Sequence, residues 1–280
     1  MFAIFRNKNM VMCTNFIGEI INRIVKVGVI VFPGSNCDRD MFHVLSDVFD
    51  LDTQYYWHEK GLPNNIDAVV LPGGFSYGDR LRAGVIAANS PVIKDVKKLA
   101  TKGIPILGVC NGFQILVESN LLPGVLLKNN SLNFMCEWTS LIVKNNKTPF
   151  TNKLQLNQKI PIPIANGEGR YYADDQLMRD LKMNNQIVFT YQNYVNGSIE
   201  QIAGVCNEDG NVVGMMPHPE RATEEVINPL DYKPSSLITG LFAAITPARN
   251  LSPYENPPGK TTASMLSGKP FSCQKYCVFK

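Results

Sequence analysis

Apolar and polar positions along this chain alternate between two periods. From Val25 to about Phe242, short β-branched runs are separated by stretches whose apolar residues recur every three to four positions. That is the pattern of helices packed on a largely parallel sheet, and it predicts an α/β fold. Val27-Gly28-Val29-Ile30-Val31-Phe32 reads as the first strand, ending in the turn Pro33-Gly34-Ser35-Asn36. Met41, Val44, Leu45 and Val48 follow at helical spacing and should form one apolar face. Ala68-Val69-Val70-Leu71 is a second clear strand and runs into Pro72-Gly73-Gly74. Ser90-Pro91 supplies an N-cap with proline at the first helical position; Val92, Val96 and Leu99 make the stripe, and Gly103 closes the helix. Ile104 to Val109 is a buried strand, and Gly112 to Leu121 a helix.

The second half is richer in strand and turn signals. Strands are predicted over Trp138–Val143 and Gln186–Tyr191, with a hairpin across Asp209-Gly210 joining Ile202–Cys206 to Val212–Met216. In open α/β sheets ligands collect beyond the carboxyl ends of the strands, so the loops after Leu71, Val109 and Met216 are expected to meet.

Two segments stand outside this pattern. Residues 1–25 carry Phe16, Ile17, Ile20, Ile21 and Ile24 at helical spacing, which suits a docked helix, a targeting segment or sequence upstream of the true start. They lack the unbroken apolar region and cleavage site of a signal peptide. Residues 243–280 are rich in Pro, Ser, Thr, Gly and Lys, have little periodicity, and are expected to be disordered. The expected organisation is an extension over 1–25, a catalytic domain over 26–242 and a second extension over 243–280.

Composition narrows the class. With 280 residues, 45% hydrophobic and 18% charged, the chain is an ordinary globular mixture able to bury one good-sized core. A net charge of +3 is too small to indicate nucleic acid or a membrane surface as partner. Apolar stretches are strand-length, short of the ~20 residues a membrane-spanning helix needs. Seven cysteines, an odd number without a CxxC pair, point to a reducing cytoplasm rather than to disulfides. The three histidines all lie away from Cys273 and Cys277, so no metal site is expected. Sequons at Asn130, Asn146, Asn196 and Asn250 would matter only in a secreted protein.

The chemistry gathers at Gly108-Val109-Cys110-Asn111-Gly112-Phe113-Gln114. Cys110 falls on a sharp turn between strand and helix, where backbone N–H groups and a helix N-terminus favour thiolate. His218-Pro219-Glu220 lies just past the last strand and offers a base with its orienting acid. A thiol attacking an amide needs that base, that orienting group and donors for the oxyanion. The donors would be backbone N–H groups of Asn111, Gly73 and Gly74. Each feature has an ordinary reading: a cysteine after an apolar run is more often a core residue, a glycine pair a turn, a histidine packing. Their coincidence at three predicted strand ends favours catalysis. His43, His58, Cys37, Cys136 and Cys206 have no such context and are read as structural, and Lys94, Lys97, Lys98 and Lys102 as a solvated helix face.

With Cys110-Asn111-Gly112-Phe113-Gln114 and His218-Pro219-Glu220-Arg221 in view, the chain resembles class I glutamine amidotransferases of the triad type. Pro33-Gly34-Ser35-Asn36-Cys37-Asp38-Arg39-Asp40, Leu71-Pro72-Gly73-Gly74-Phe75-Ser76-Tyr77-Gly78-Asp79, Arg82-Ala83-Gly84, Gly167-Glu168-Gly169-Arg170 and Gly214-Met215-Met216-Pro217 narrow the likeness. From about Lys26 to Phe242 they resemble the family of glutaminase subunits of phosphoribosylformylglycinamidine synthase.

The resemblance implies a three-layer α/β/α, flavodoxin-like fold and glutamine hydrolysis through a γ-glutamyl thioester on Cys110, with His218 and Glu220 completing the triad. It implies that Gln114, Asn133 and Phe134 hold the α-amino and carboxylate groups of glutamine. The partners it implies are a large synthetase subunit, which binds ATP and Mg and accepts the ammonia, and a small bridging subunit. This chain has no GxxxxGK[ST] loop, in keeping with no cofactor of its own. Asn166 stands where the family commonly has histidine before Gly167-Glu168-Gly169. Two other readings stay open: an amidotransferase subunit for another ammonia-requiring synthetase, such as one making GMP or CTP, and a catalytically silent amidotransferase-like binding module.

Overall fold

The computed structural model of the chain describes residues 25–224. The helix-spaced stretch within 1–24 and the segment over 243–280 lie outside the described residues. Eleven strands and four α-helices are formed among those described. In chain order they are β1 (Lys26–Val31), α1 (Asp38–His43), β2 (Asp52–Trp57), β3 (Ala68–Leu71), α2 (Pro91–Thr101), β4 (Ile106–Val109), α3 (Asn111–Glu118), β5 (Val125–Leu127), β6 (Met135–Val143), β7 (Lys159–Asn166), β8 (Arg170–Tyr172), α4 (Asp175–Met183), β9 (Ile187–Tyr191), β10 (Ile202–Cys206) and β11 (Val212–Met215).

Nine strands form one sheet in the order β2-β1-β3-β4-β11-β10-β9-β6-β7. The five from β2 to β11 are parallel, and the remaining pairs are antiparallel. The parallel half explains the unbroken apolar runs: β3 and β4 are buried at every residue, because helices cover both faces. Strands β10 and β11 are the predicted hairpin, its loop turning at Gly210 with φ +75. Strands β5 and β8 make a separate small antiparallel ribbon.

The long β6–β7 pair projects. Strand β6 pairs with β7 from Met135 to Ile142 but with β9 only from Leu141 to Val143, so much of the hairpin extends beyond the neighbouring strand as an arm. Pro161 and Pro163 lie on β7, the edge strand, where a missing N–H costs no sheet hydrogen bond.

The predicted helices change in detail. Helix α1 passes into a π turn over Val44–Val48, with Phe49 N–H donating to Val44 O. This wider turn takes Val48 off the apolar face: Met41, Val44 and Leu45 are buried, whereas Val48 is 39% exposed. Ser90 holds the N-cap position of α2, but its side chain makes no capping hydrogen bond and its Oγ lies 3.4 Å from Tyr77 Oη. On α2, Val92, Val96 and Leu99 are buried while Lys94, Lys97 and Lys98 face solvent. Helix α3 ends at Glu118 rather than Leu121, since Asn120 takes a left-handed conformation, φ +58.

Candidate active site

The parallel strands place three loops at one edge of the sheet. Gly73 and Gly74 follow β3, Cys110 follows β4, and His218 and Glu220 follow β11, strands adjacent in the sheet. Cys110 stands between β4 and α3 with φ +49 and ψ −106. A side chain bearing Cβ occupies that region at a cost of order 1–3 kcal/mol, which the surroundings must offset. Two backbone bonds hold it: Cys110 N–H donates to Met215 O at 2.8 Å, and Gln114 N–H donates to Cys110 O at 3.1 Å. The turn also requires α3 to lie against β3, and Gly112 permits it, since a Cβ there would fall 1.9 Å from Leu71 O.

His218 and Glu220 are both buried, with His218 Nδ1 2.6 Å from Glu220 Oε1. Burial alone would neutralise both. Glu220, nevertheless, is held below the ordinary carboxylate range by His218 and Arg221, and His218 well above the ordinary imidazole value by Glu220 and Cys110. The pair is therefore a buried imidazolium–carboxylate, each charge stabilising the other. His218 also interacts with the thiols of Cys110 and Cys37.

Gly73 shows how tightly these groups meet. A Cβ there would lie 2.8 Å from His218 Cε1, 3.1 Å from Cys37 Sγ and 3.3 Å from Cys110 Cβ. Gly74 takes φ +145, and a Cβ on it would run into Asn36 N at 2.8 Å. Both positions need a residue without a side chain for the loops to approach. The β6–β7 arm supplies another wall: His218 N–H donates to Pro163 O at 2.9 Å, and Cys110 Sγ lies 3.6 Å from Ala165 O.

Asn111 and Gln114 occupy the first turn of α3, both buried. Asn111 Oδ1 accepts from Ser76 N–H and its Nδ2 donates to Gln114 Oε1, while Gln114 Nε2 donates to Glu168 O at 2.7 Å. The Gln114 amide thus ties α3 to the Gly167-Glu168-Gly169 loop. Asn133 and Phe134 lie at an exposed margin, where Phe134 faces Phe75 with ring centroids 6.2 Å apart. Asn129 joins this margin to the loop, donating to Asn133 O and Asn166 O and accepting from Gly169 N–H.

Sequence reasoning passed over Cys37, reading it as packing. It is buried, and its Sγ accepts from Arg221 Nη2 at 3.1 Å, with Arg221 Nε on Asp40 Oδ2 at 3.2 Å. Burial raises the Cys37 thiol pKa, and His218 and Arg221 offset only part of that. Cys37, His218 and Glu220 offer ligand-type atoms within 4.8 Å of one another, the grouping of that kind found among the described residues. The signal for Cys37 was its place in Asn36-Cys37-Asp38-Arg39-Asp40, after a strand on the same sheet edge. His43 and His58 pair elsewhere, His43 with Asp47 and Glu224, His58 with Tyr77 Oη. Among the described residues no helix is long and apolar enough to cross a membrane.

This elbow cysteine and buried acid–base pair at the end of a parallel sheet sit within a family match. The model of the CobB/CobQ-like glutamine amidotransferase domain matches residues 24–243, and the chain belongs to that family. Among solved structures it is similar to PurLQS from Thermotoga maritima, with 45% identity, covering 80% of this chain and 98% of that one at a TM-score of 0.71. The glutaminase domain of a Trypanosoma brucei CTPS with bound acivicin shares the fold at 15% identity and a TM-score of 0.51, covering 80% of this chain and 95% of that one.

Proposed function

We propose that this chain is the glutaminase subunit of a phosphoribosylformylglycinamidine synthase and that Cys110, His218 and Glu220 are its catalytic triad. The observation that carries the chemistry is Cys110, held at φ +49 beside the buried His218–Glu220 pair. The assignment to this synthase rests on the 45% identity with PurLQS over most of both chains.

The Cys110 thiolate attacks the side-chain amide carbon of glutamine, and negative charge builds on the carbonyl oxygen. N–H groups of Gly73, Gly74 and Asn111 receive that charge. The His218 imidazolium gives its proton to the amide nitrogen, the C–N bond breaks, ammonia leaves, and a γ-glutamyl thioester remains on Cys110. Neutral His218 then takes a proton from water, whose oxygen attacks the thioester, and glutamate and the thiolate are regenerated. Glu220 fixes the imidazole and balances its charge throughout. Gln114, Asn133 and Phe134 hold the amino-acid head.

Ammonia goes to a large synthetase subunit that binds ATP and Mg and converts formylglycinamide ribonucleotide to the amidine, with a small bridging subunit between them. The chain needs no cofactor for its own step, and the complex works in the cytoplasm. Reconstitution with the synthetase subunits tests the reading, with glutamine and ammonium compared as donors. Cys110→Ala should abolish glutamine-dependent synthesis and spare the ammonium-dependent reaction. Loss of both would remove Cys110 from its role, and a different acceptor would move the chain to another synthetase. Labelling of Cys110 by 6-diazo-5-oxonorleucine in the complex separates an active glutaminase from a silent module.

A further inference from the structure

A helix usually starts after Ser, Thr, Asp or Asn, whose side-chain oxygen accepts from the first turn. Helix α1 starts after Cys37, and that side chain makes no capping hydrogen bond. The thiol is turned toward the catalytic loops instead. Its Sγ lies 3.1 Å, and His218 Cε1 2.8 Å, from the one point that a Cβ on Gly73 would occupy. Two backbone bonds pin the residue there: Cys37 N–H donates to Gly73 O at 3.3 Å, and Met41 N–H donates to Cys37 O at 3.0 Å.

The partners of the sulfur sort its proton from its lone pairs. The S–H donates to Asn36 Oδ1 at 3.3 Å, and the sulfur accepts from Arg221 Nη2 at 3.1 Å. Cys37 is also hydrogen-bonded to His218, as Cys110 is. One N–H of the imidazolium, at Nδ1, is given to Glu220 at 2.6 Å. The Nε2–H is therefore what the two sulfurs share. Two neighbouring cations favour a thiolate at Cys37, but burial outweighs them and raises its pKa. The thiol stays neutral, so it neither takes the His218 proton nor rivals Cys110 as a nucleophile.

The two sulfurs differ in what the reaction does to them. Before attack, the negative Cys110 sulfur draws the imidazolium toward itself. As the thioester forms, that charge passes to the carbonyl oxygen and the attraction fades. His218 must still aim Nε2–H at the amide nitrogen at that stage, and Glu220 holds only the opposite side of the ring. Cys37 keeps its charge state and its place throughout.

We propose that Cys37 is a positioning residue for His218: with its S–H committed to Asn36, its sulfur accepts from Nε2–H and keeps the imidazolium in line while charge leaves Cys110. The role rests on the glutaminase reading. Gly73 makes it possible, because any side chain there would part the ring from the sulfur. The other titratable or charged groups acting on His218 are Glu220 on its own turn and Cys110 on the β4–α3 turn, with Arg221 and, through it, Asp40 beside Cys37. All of them remain when Cys37 alone is changed.

The test compares Cys37→Ser, which keeps a hydroxyl donor and acceptor, with Cys37→Val and Cys37→Ala, which keep neither. Each is assayed in the reconstituted complex for glutamine hydrolysis across pH, with thermal unfolding to establish that it folds. Valine and alanine should lower kcat about tenfold or more with little change in KM, the weight of a hydrogen bond to a charged group. Loss of the acceptor disfavours the imidazolium, so the alkaline limb of kcat/KM should move to lower pH in both. Serine should return the limb and most of the rate.

An alkaline limb that stays in place in folded valine and alanine variants overturns the proposal, whatever the height of the profile. So does a serine variant that behaves like valine, since the sulfur then acts through its packing. If valine fails to fold, alanine against serine decides. An unaltered complex that hydrolyses no glutamine removes the glutaminase reading and this role with it, a result distinct from hydrolysis whose alkaline limb ignores Cys37.

Discussion

His218 Nδ1 lies 2.6 Å from Glu220 Oε1, and each residue is only 2% exposed. The two charges are worth most where both exist. Glu220 titrates below its ordinary 4.5, so its contribution is present above that pH and lost as pH falls through the lower folded value. His218 titrates well above its ordinary 6.5, so its contribution is full below that pH and lost as pH rises through the folded value. The destabilisation caused by Glu220→Gln should therefore be largest between pH 4.5 and 6.5. Denaturant midpoints of the variant and the unaltered chain across pH check this. A difference that keeps growing into alkaline pH contradicts the buried ion pair.

Gly73 and Gly112 separate activity from stability. A methyl on Gly73 meets three side-chain atoms of the site, His218 Cε1 nearest at 2.8 Å. Those side chains can shift, so Gly73→Ala should fold but lose about 100-fold in glutaminase kcat/KM, the scale of a misplacement near 1 Å. A methyl on Gly112 meets the backbone oxygen of Leu71 at 1.9 Å, which cannot move without the sheet. Gly112→Ala should lower stability by about 3 kcal/mol or more, the upper range for overpacking. Thermal unfolding and steady-state kinetics on the two variants give the comparison, and a reversed pattern would be evidence against the packing described.

Asn129 is fully buried and makes three hydrogen bonds to backbone groups, at Asn133 O, Asn166 O and Gly169 N–H. Asn129→Leu strips all three and should cost about 2–4 kcal/mol, since buried backbone groups lose their partners. Asn129→Asp keeps an acceptor for Gly169 N–H but loses both donors. Urea unfolding measures the cost, and a change below 1 kcal/mol for Leu, by that same scale, would mean water replaces the side chain.

Arg221 ties the turn bearing Glu220 to the start of α1 through Asp40 and Cys37. Its charge also helps keep Glu220 ionised. Removing it in Arg221→Gln should raise the Glu220 pKa, so the acid limb of the glutaminase pH profile moves upward. Lysine lacks the fork that reaches Asp40 and Cys37 together and should restore the limb only in part. A profile that falls in height without shifting would assign Arg221 to packing alone.

The parallel strands were legible because burial on both faces leaves a plain signature: Ala68–Leu71 and Ile106–Val109 are apolar throughout and lack exposed positions. Strand β2 was not. It is the outer strand, its residues lie partly in solvent, and Asp-Thr-Gln-Tyr-Tyr-Trp carries no continuous run. Helix α4 escaped for a similar reason, since only Met178 and Leu181 are buried in nine residues; Asp174, whose Oδ1 accepts from Leu177 N–H, marks its start. The π turn after α1 left no trace in the apolar spacing.

What the sequence determined by itself was local: where the chain turns, which runs need burial, and which residue types stand beyond three strand ends. A cysteine, a glycine pair and a His-Pro-Glu run follow from that reading. Tertiary structure decided what no spacing encodes, because contacts between residues far apart in sequence depend on strand order and on which side chains are absent. The parallel order β3-β4-β11 brings Gly73 against Cys110 and His218, and the missing side chain at Gly73 lets Cys37 join them. The antiparallel half then brings the Ala165 carbonyl to Cys110 Sγ and the Pro163 carbonyl to the His218 N–H.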